Sequence, residues 1–368
     1  MNFLRRIPLD RLLLLCGIVV GVGIGVTALA EALSAGPTPK PQPLAQAIHQ
    51  GLTAPAPEGV SANITLTDQL LEGAGLAHDA GGGGEGGEGG ASLTSSPLFT
   101  GGSGRLWASR DGRFRLELQD QSGDTQIISD GHKLEVYDAA TNTLYRYTPP
   151  KGEPSEGSSA AEVPSVGKIE EAISHLEKHA SVSGAEPTDV AGQPAYTVRV
   201  GPRQAGSLFA GAELSFDADN GTPLRAALYS TASSSPVLEL AATEISYGPV
   251  PDSTFSIAPP ANVKVEEVKV EAPTHAHRHH PSSADGSRPK ATTYGHGPGT
   301  IVVVQGKSKG NGSSGGLEGL PQVDINGTKA SELRTELGTV LSFERAGVRY
   351  LLAGSVSPGQ LEAVARGL

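Results

Sequence analysis

The chain has 368 residues, more than one ordinary domain requires, and its 49 glycines and 27 prolines make up about a fifth of it. We therefore expect two compact domains joined by linkers. A net charge of −11 argues against a broad basic surface for nucleic acid, so no nucleic-acid partner is expected. The single cysteine excludes an intramolecular disulfide framework and any CxxC metal or redox site.

An uncharged apolar run lies close to the N-terminus. Three arginines precede residues 12–30, whose length is close to the roughly twenty residues that a helix needs to cross a bilayer. We predict a single-pass signal anchor within residues 1–36, a transmembrane helix with the bulk of the chain on the extracytoplasmic side. The alternative is a cleaved signal peptide, because Ala28-Leu29-Ala30 provides a cleavage site. The mature chain would then be secreted or periplasmic.

Residues 44–260 predict a first domain built mainly of β-strands. The proline-rich residues 37–43 precede it and favour a semi-rigid spacer. A short helix is expected at 44–52, and alternating apolar and polar residues predict a strand from residue 59 to residue 72. The glycine-rich insertion 73–103 is expected to be disordered, since its central part has no apolar residues to offset the entropy of ordering.

Short strands separated by turn residues follow on both sides of one amphipathic helix. We expect them at 105–109, 113–119, 125–129, 132–138 and 143–148, and again at 195–200, 212–216, 224–230 and 237–247. Between the two groups, Ile169, Ile173, Leu176 and Ala180 form one apolar stripe after an N-cap at Ser165. About ten strands, all antiparallel, with this helix as a lid predict a half-open β-barrel.

A His- and Pro-rich linker, residues 261–298, leads to a small C-terminal α+β domain, residues 299–368. Strands are expected at 301–304, 321–325, 338–343 and 348–352. Ser357, Pro358 and Gln360 stand at the N-cap, first helical and capping-box positions of a final helix. The predicted fold class is therefore α+β, an antiparallel half-open barrel with a helical lid plus this small domain.

Turn and strand-edge motifs occur in residues 104–117, 129–138, 191–196, 217–224 and 250–260, and further ones at 350–357. They resemble the LolA-like and RseB (MucB)-like group of lipoprotein-sorting and envelope-sensing proteins. The resemblance implies a half-barrel that holds acyl chains of lipoproteins. For RseB-like proteins it also implies binding to the extracytoplasmic part of an anti-sigma factor. The membrane anchor, the glycine-rich insertion and the His-rich linker depart from both patterns.

A bent antiparallel sheet cannot fill its concave side with its own side chains, so we expect a lid and bound hydrocarbon to exclude water there. The alternative for each residue is an ordinary closed core. The candidate lining residues are Ile64, Leu66, Phe114, Leu116, Leu134, Val136, Ile173, Leu176, Tyr196, Val198, Leu214, Phe216, Leu224 and Leu228.

The sequence thus predicts a membrane-anchored extracytoplasmic protein that binds lipid or lipoprotein acyl chains, in lipoprotein sorting or envelope lipid sensing. The alternative is an RseB-like negative regulator that binds an anti-sigma factor, or another envelope protein. No nucleophile elbow, paired carboxylates or Ser, His, Asp arrangement can be assigned, so neither an enzyme nor a cofactor is expected.

A metal site is not predicted either. Five histidines have a spacing that metal ligands can have, but most of them lie in a Pro- and Ser-rich linker without a supporting scaffold, which favours a solvated polar tract. They are His275, His277, His279, His280 and His296.

Overall fold

The computed structural model describes residues 36–70, 100–121, 123–148, 163–256, 260–268, 290–307 and 320–368. They belong to two compact units, the first with residues 36–69, 100–203 and 210–268 and the second with residues 70, 204–209 and 290–368, each with these gaps. The predicted membrane segment, the glycine-rich insertion and the tract His275–His280 lie outside the described residues. Within the described part of the chain, no helix is long and apolar enough to span a membrane.

The first unit is mostly β-structure with two helices, α1 (Leu44–Thr53) and α2 (Val166–Leu176). Its strands are β1 (Gly59–Asp68), β2 (Gly102–Ser109), β3 (Phe114–Gln119), β4 (Asp124–Ser129), β5 (Leu134–Asp138), β6 (Thr143–Tyr147), β7 (Ala180–Val182), β8 (Glu186–Val190), β9 (Gln193–Pro202), β10 (Phe209–Asp217), β11 (Pro223–Ser230), β12 (Pro236–Tyr247) and β13 (Lys264–Glu267).

These strands form one open sheet in the order β13-β6-β5-β4-β3-β2-β1-β12-β11-β10-β9-β7, with β8 also paired to β9. Strand β1 is central and pairs antiparallel with β2 and β12. Strand β13 runs parallel to β6, so the expectation of an all-antiparallel sheet is wrong at this edge. The reason is the connection after β12, which crosses to the far edge and brings β13 alongside β6 in the same direction.

Both helices of the first unit are fixed by specific hydrogen bonds. The Ser165 side chain accepts a hydrogen bond from the Lys168 N–H, which confirms the predicted N-cap of α2. The Nδ1 atom of His49 on α1 lies 3.0 Å from the carbonyl oxygen of Pro164, directly before that cap. The start of α2 is therefore held by α1.

The proline-rich residues before α1 also contact the first unit. The Tyr196 hydroxyl donates to the Lys40 carbonyl oxygen at 2.6 Å, and Gln42 forms a β-bridge with Ala185. The last residues of the segment predicted as a spacer are therefore docked beside β9.

The second unit contains a six-stranded antiparallel sheet in the order β14-β15-β19-β18-β17-β16 and one helix, α3 (Pro358–Arg366). Its core packs Val303, Leu341 and Leu352 of the sheet against Leu361 and Ala365 of α3. The strands are β14 (Lys290–Tyr294), β15 (Ile301–Lys307), β16 (Gln322–Ile325), β17 (Thr328–Thr335), β18 (Gly338–Arg345) and β19 (Val348–Gly354). Ser357 and Gln360 form the capping box that the sequence predicts.

Strands β2 and β3 approach so closely that a Cβ atom on Gly104 would clash with the Glu117 carbonyl oxygen. We expect Gly104→Ala to lower the free energy of unfolding of the first unit by about 1–3 kcal/mol, since the two strands must move apart. Urea denaturation followed by the emission of Trp107, on the same strand, measures this.

The matched control is Gly167→Ala in α2, where the added methyl group would meet no heavy atom within 4 Å apart from its chain neighbours and the backbone of its own helix. Alanine favours the helix there, so the unfolding midpoint should stay unchanged or rise slightly. A Gly104→Ala midpoint equal to that of the original chain would contradict the close approach of β2 and β3.

Candidate functional site

The register of the first sheet collects apolar side chains on one side of it. Leu66 lies opposite Leu240, and Leu116 lies opposite both Leu106 and Ile127. Directly paired residues point to the same side of a sheet, and residues two apart on a strand do so as well. We call this side the apolar face. It comprises Val60, Ala62, Ile64, Leu66, Leu106, Ala108, Phe114, Leu116, Leu118, Ile127, Leu134, Val136, Tyr145, Tyr147, Tyr196, Val198, Val200, Ala212, Leu214, Phe216, Leu224, Ala226, Leu228, Leu238, Leu240, Ala242, Ile245 and Tyr247.

An ion-pair network on the opposite side, the polar face, shows that β9 to β12 keep one common orientation. Arg225 of β11 bridges Glu213 of β10, at 2.6 Å, and Glu239 of β12. Arg199 of β9 lies 2.8 Å from Glu213. These four side chains share the polar face. The residues directly before and after each of them on the same strand therefore point to the apolar face.

The same network keeps Arg225 charged. Burial acts to lower the pKa of Arg225, but its hydrogen bonds to Tyr229, Glu213 and Glu239 outweigh burial and raise the pKa above its ordinary value. The charged guanidinium links β10, β11 and β12.

The structure places all twelve strand residues of the candidate set on the apolar face. Ile173 of α2 packs against the buried cluster that contains Tyr196 and Phe216, whereas Leu176 is not part of that cluster. The register thus brings together candidate side chains from six strands, β1, β3, β5, β9, β10 and β11.

Helices α1 and α2 cover one end of the apolar face. Leu44 and Ala47 of α1 and Ile173 of α2 pack with Tyr196 and Phe216. The two aromatic rings lie 5.9 Å apart, centroid to centroid. This end of the face is a closed hydrophobic core.

The close fit of α1 depends on two glycines and one amide. The Gln50 side chain donates to the Ala218 carbonyl oxygen at 3.1 Å. A Cβ atom on Gly221 would lie 2.6 Å from the Gly51 carbonyl oxygen, so the turn between β10 and β11 touches the helix backbone. Gly221 also has a φ of 71°, which glycine adopts without strain.

The middle of the apolar face is less well covered. Its buried cluster contains Ala62, Ile64 and Leu118, and the apolar residues packed around this cluster include none from either helix. Leu240, at its centre, is 40% exposed. Ten of the fourteen candidates are only partly buried, so the surface they form remains in contact with water. They are Leu66, Phe114, Leu116, Leu134, Val136, Ile173, Leu176, Val198, Leu214 and Leu228.

The polar face is covered near β3 by a 3₁₀ helix, Asp252–Phe255, in the connection after β12. Arg113 forms an ion pair with Asp252 at 2.8 Å, and its guanidinium lies 4.8 Å from the centre of the Phe255 ring. Arg115 donates to the Thr254 carbonyl oxygen at 3.2 Å. We call this segment the strap.

On the polar face of β4 to β6, Ile128, Leu144 and Glu135 are buried. This side of the sheet is therefore also partly covered and does not face water throughout. Trp107 also lies on the polar face, opposite Ser61, with the Arg115 guanidinium 5.9 Å from its ring centre. It belongs to the strap side of the sheet and not to the apolar face.

Sequence reasoning missed the contribution of β12 to the apolar face. Leu238, Leu240 and Ala242 alternate correctly, but a β-bulge opposite Asn63 and Ile64 then shifts the phase, and Ile245 and Tyr247 complete the row. The signal in the sequence is one extra residue between the alternating residues Leu238, Leu240 and Ala242 and the pair Ile245 and Tyr247. It could have revealed that β12 contributes to the apolar face.

Among the residues that the structure describes, no group of three or more His, Cys, Asp and Glu side chains could hold a metal ion. His296, the one member of the predicted polar tract within the described residues, is exposed.

Comparisons with known proteins give structural neighbours in the two groups that the sequence motifs resemble. The MucA/MucB complex of Pseudomonas aeruginosa is 18% identical, with 88% of this chain and 94% of that chain covered and a TM-score of 0.41. A structure of MucB is 16% identical, with 88% and 93% covered and a TM-score of 0.35. A LolA superfamily protein from Nitrosomonas europaea is 7% identical, with 84% and 90% covered and a TM-score of 0.19.

At these scores and identities the likeness carries no argument about function. No protein-family profile matches the chain. No curated protein matches it either.

Four tyrosines of the first unit provide a test by pH. Burial raises the pKa of Tyr145, Tyr196, Tyr229 and Tyr247, and for Tyr247 the hydrogen bond that its hydroxyl donates to Asp217, at 2.5 Å, adds to this effect. Their folded pKa values exceed the unfolded value of about 10. The stability from keeping these phenols neutral is therefore complete below pH 10 and is lost as the pH rises further.

We expect absorbance titration at 295 nm to show that these four tyrosines ionise above pH 10 while the protein is folded. The variant Tyr247→Phe should remove one residue from this late-ionising group, and the same titration in concentrated urea, where the protein is unfolded, serves as the control. A titration curve above pH 10 that is the same for the original chain and for Tyr247→Phe would contradict this assignment.

Proposed function

We propose that the chain is an extracytoplasmic, membrane-anchored binding protein that holds the hydrocarbon chains of lipids or lipoproteins on the apolar face of its first unit. It acts in lipoprotein sorting or in sensing of envelope lipids, without catalysing a reaction. The apolar run at residues 12–30 supports the anchor, since it lies after three arginines and precedes all of the β-structure.

The observation that carries the proposal is the incomplete burial of one apolar surface that spans most of a thirteen-strand sheet. Soluble monomers rarely expose contiguous apolar areas of more than a few hundred Å². Helices α1 and α2 close one end of this surface, and the strap lies on the other side of the sheet. The middle therefore keeps room for an apolar ligand, around which the sheet would bend as the half-barrel prediction requires.

The expected gain is sufficient for specific binding. Each methylene group that leaves water contributes about 0.8 kcal/mol, so six methylene groups supply roughly 5 kcal/mol before the cost of association. Leu66 and Leu240, directly opposite each other, lie where such a chain would contact the sheet. Aliphatic and aromatic side chains form most of the face, which favours hydrocarbon over a polar ligand. Its charged residues include Asp68 and Asp138, which end β1 and β5, and Glu266 on the edge strand β13.

Binding of cis-parinaric acid, whose fluorescence rises on leaving water, tests the proposal on the full chain. We expect the original chain to bind it, and Leu66→Asn and Leu240→Asn each to raise the dissociation constant about tenfold, since each replaces a leucine contact by an amide.

The matched control is Thr65→Asn, one residue away on the same strand and exposed on the polar face. It should leave binding unchanged. Absence of probe binding to the original chain, or an equal loss with Thr65→Asn and Leu66→Asn, would refute hydrocarbon binding at this face. A lipid-free chain that co-purifies with a membrane protein would instead favour the regulator alternative.

A further inference from the structure

The second unit has an apolar surface that its own helix does not cover. Helix α3 packs on the inner side of the sheet, where Val303, Leu341 and Leu352 are buried. The alternate residues point to the outer side, and there Val302 is 40% exposed and Leu351 is 38% exposed. We call this side the outer face.

Strand register orders the outer face into rows across the sheet. One row contains Val302 of β15, Ala353 of β19, Val340 of β18 and Leu333 of β17, each opposite the next. The row beside it contains Val304, Leu351, Ser342 and Ser331 in the same strand order. Apolar side chains thus occupy four neighbouring strands.

A charged pair follows these rows at the centre of the sheet. Arg349 of β19 lies opposite Glu344 of β18, two residues beyond Leu351 and Ser342. Strands β19 and β18 are the middle two of the six. A two-fold axis that runs between them and parallel to the strands would place Arg349 of one copy over Glu344 of the other. The same axis would place Glu344 of the first copy over Arg349 of the second.

The same axis also matches the apolar row to itself. It places Val302 over Leu333 of the second copy, and Ala353 over Val340. Isologous contacts of this kind require one patch to be complementary to its own rotated copy, and both the charges and the side-chain sizes meet that condition.

We propose that the outer face is a homodimer interface, in which two copies of this chain pack face to face about a two-fold axis between β18 and β19. Six strands of four to eight residues, at about 4.8 Å between strands and about 3.3 Å per residue, give a footprint of roughly 600 Å². A standard interface buries about 800 Å² on each partner, so this footprint is at the small end of specific interfaces, where dimers are reversible. The interface is independent of the apolar face of the first unit and does not depend on its function.

Charge reversal with mixing tests this geometry. In Arg349→Glu, two carboxylates face each other across the axis, and in Glu344→Arg, two guanidinium groups do. We expect sedimentation velocity of the full chain in a mild detergent to show a dimer for the original protein. Each variant alone should have a dissociation constant raised at least about tenfold. An equimolar mixture of the two should recover dimers, because opposite charges then meet on both sides of the axis.

A second pair of variants controls for loss of fold and for association through other surfaces. Leu351→Asp should abolish the dimer, whereas Val265→Asp, at a residue of the first sheet that is 47% exposed, should leave it intact. Thermal unfolding should be alike for the two. A monomeric original chain at concentrations up to about 100 µM, a dimer insensitive to both charge reversals, or a mixture that does not recover would overturn the proposal.

Discussion

Strand alternation across one very wide sheet is the constraint on which the first unit depends. Because side chains point to opposite sides every second residue, a single register fixes the side of all the residues on every strand. The pairing of β1 with β2 and β12 links the two halves of the sheet. The ion pairs of Arg225 hold the orientation of the three strands beyond. A slip of β1 by one residue against its neighbours would turn its own apolar side chains toward the strap.

The two faces are covered in different ways, and the difference leaves part of the apolar face exposed. The strap, held by Arg113 and Arg115, covers the side that looks polar in the sequence. Helices α1 and α2 cover only the end of the apolar face near Tyr196. In an ordinary sandwich the largest apolar surface would be the best covered one. Here its middle, around Leu240, remains partly exposed, which costs stability unless a ligand or a partner shields it.

The sequence predicted most strands of the first unit and their common face, because period-two alternation and Gly-containing turns are local signals. It did not predict β13, whose parallel pairing with β6 is set by a distant crossover. Strand β17 was missed although Asn326-Gly327 before it forms a two-residue turn with positive φ at both positions. Ala191-Gly192 and Ala346-Gly347 make the same turn with a residue that sequence rules do not favour there. Side-chain exposure could not be predicted, since it depends on where helices and connections pack.

Native mass spectrometry of the full chain, extracted from membranes and released from detergent in the gas phase, shows whether the apolar face holds hydrocarbon. We expect an added mass that matches lipid or acyl chains and that is reduced when Leu66 and Leu240 are both replaced by asparagine. A chain that carries no added mass under conditions that preserve lipid on other membrane proteins would contradict it, and so would an added mass that the double replacement leaves unchanged.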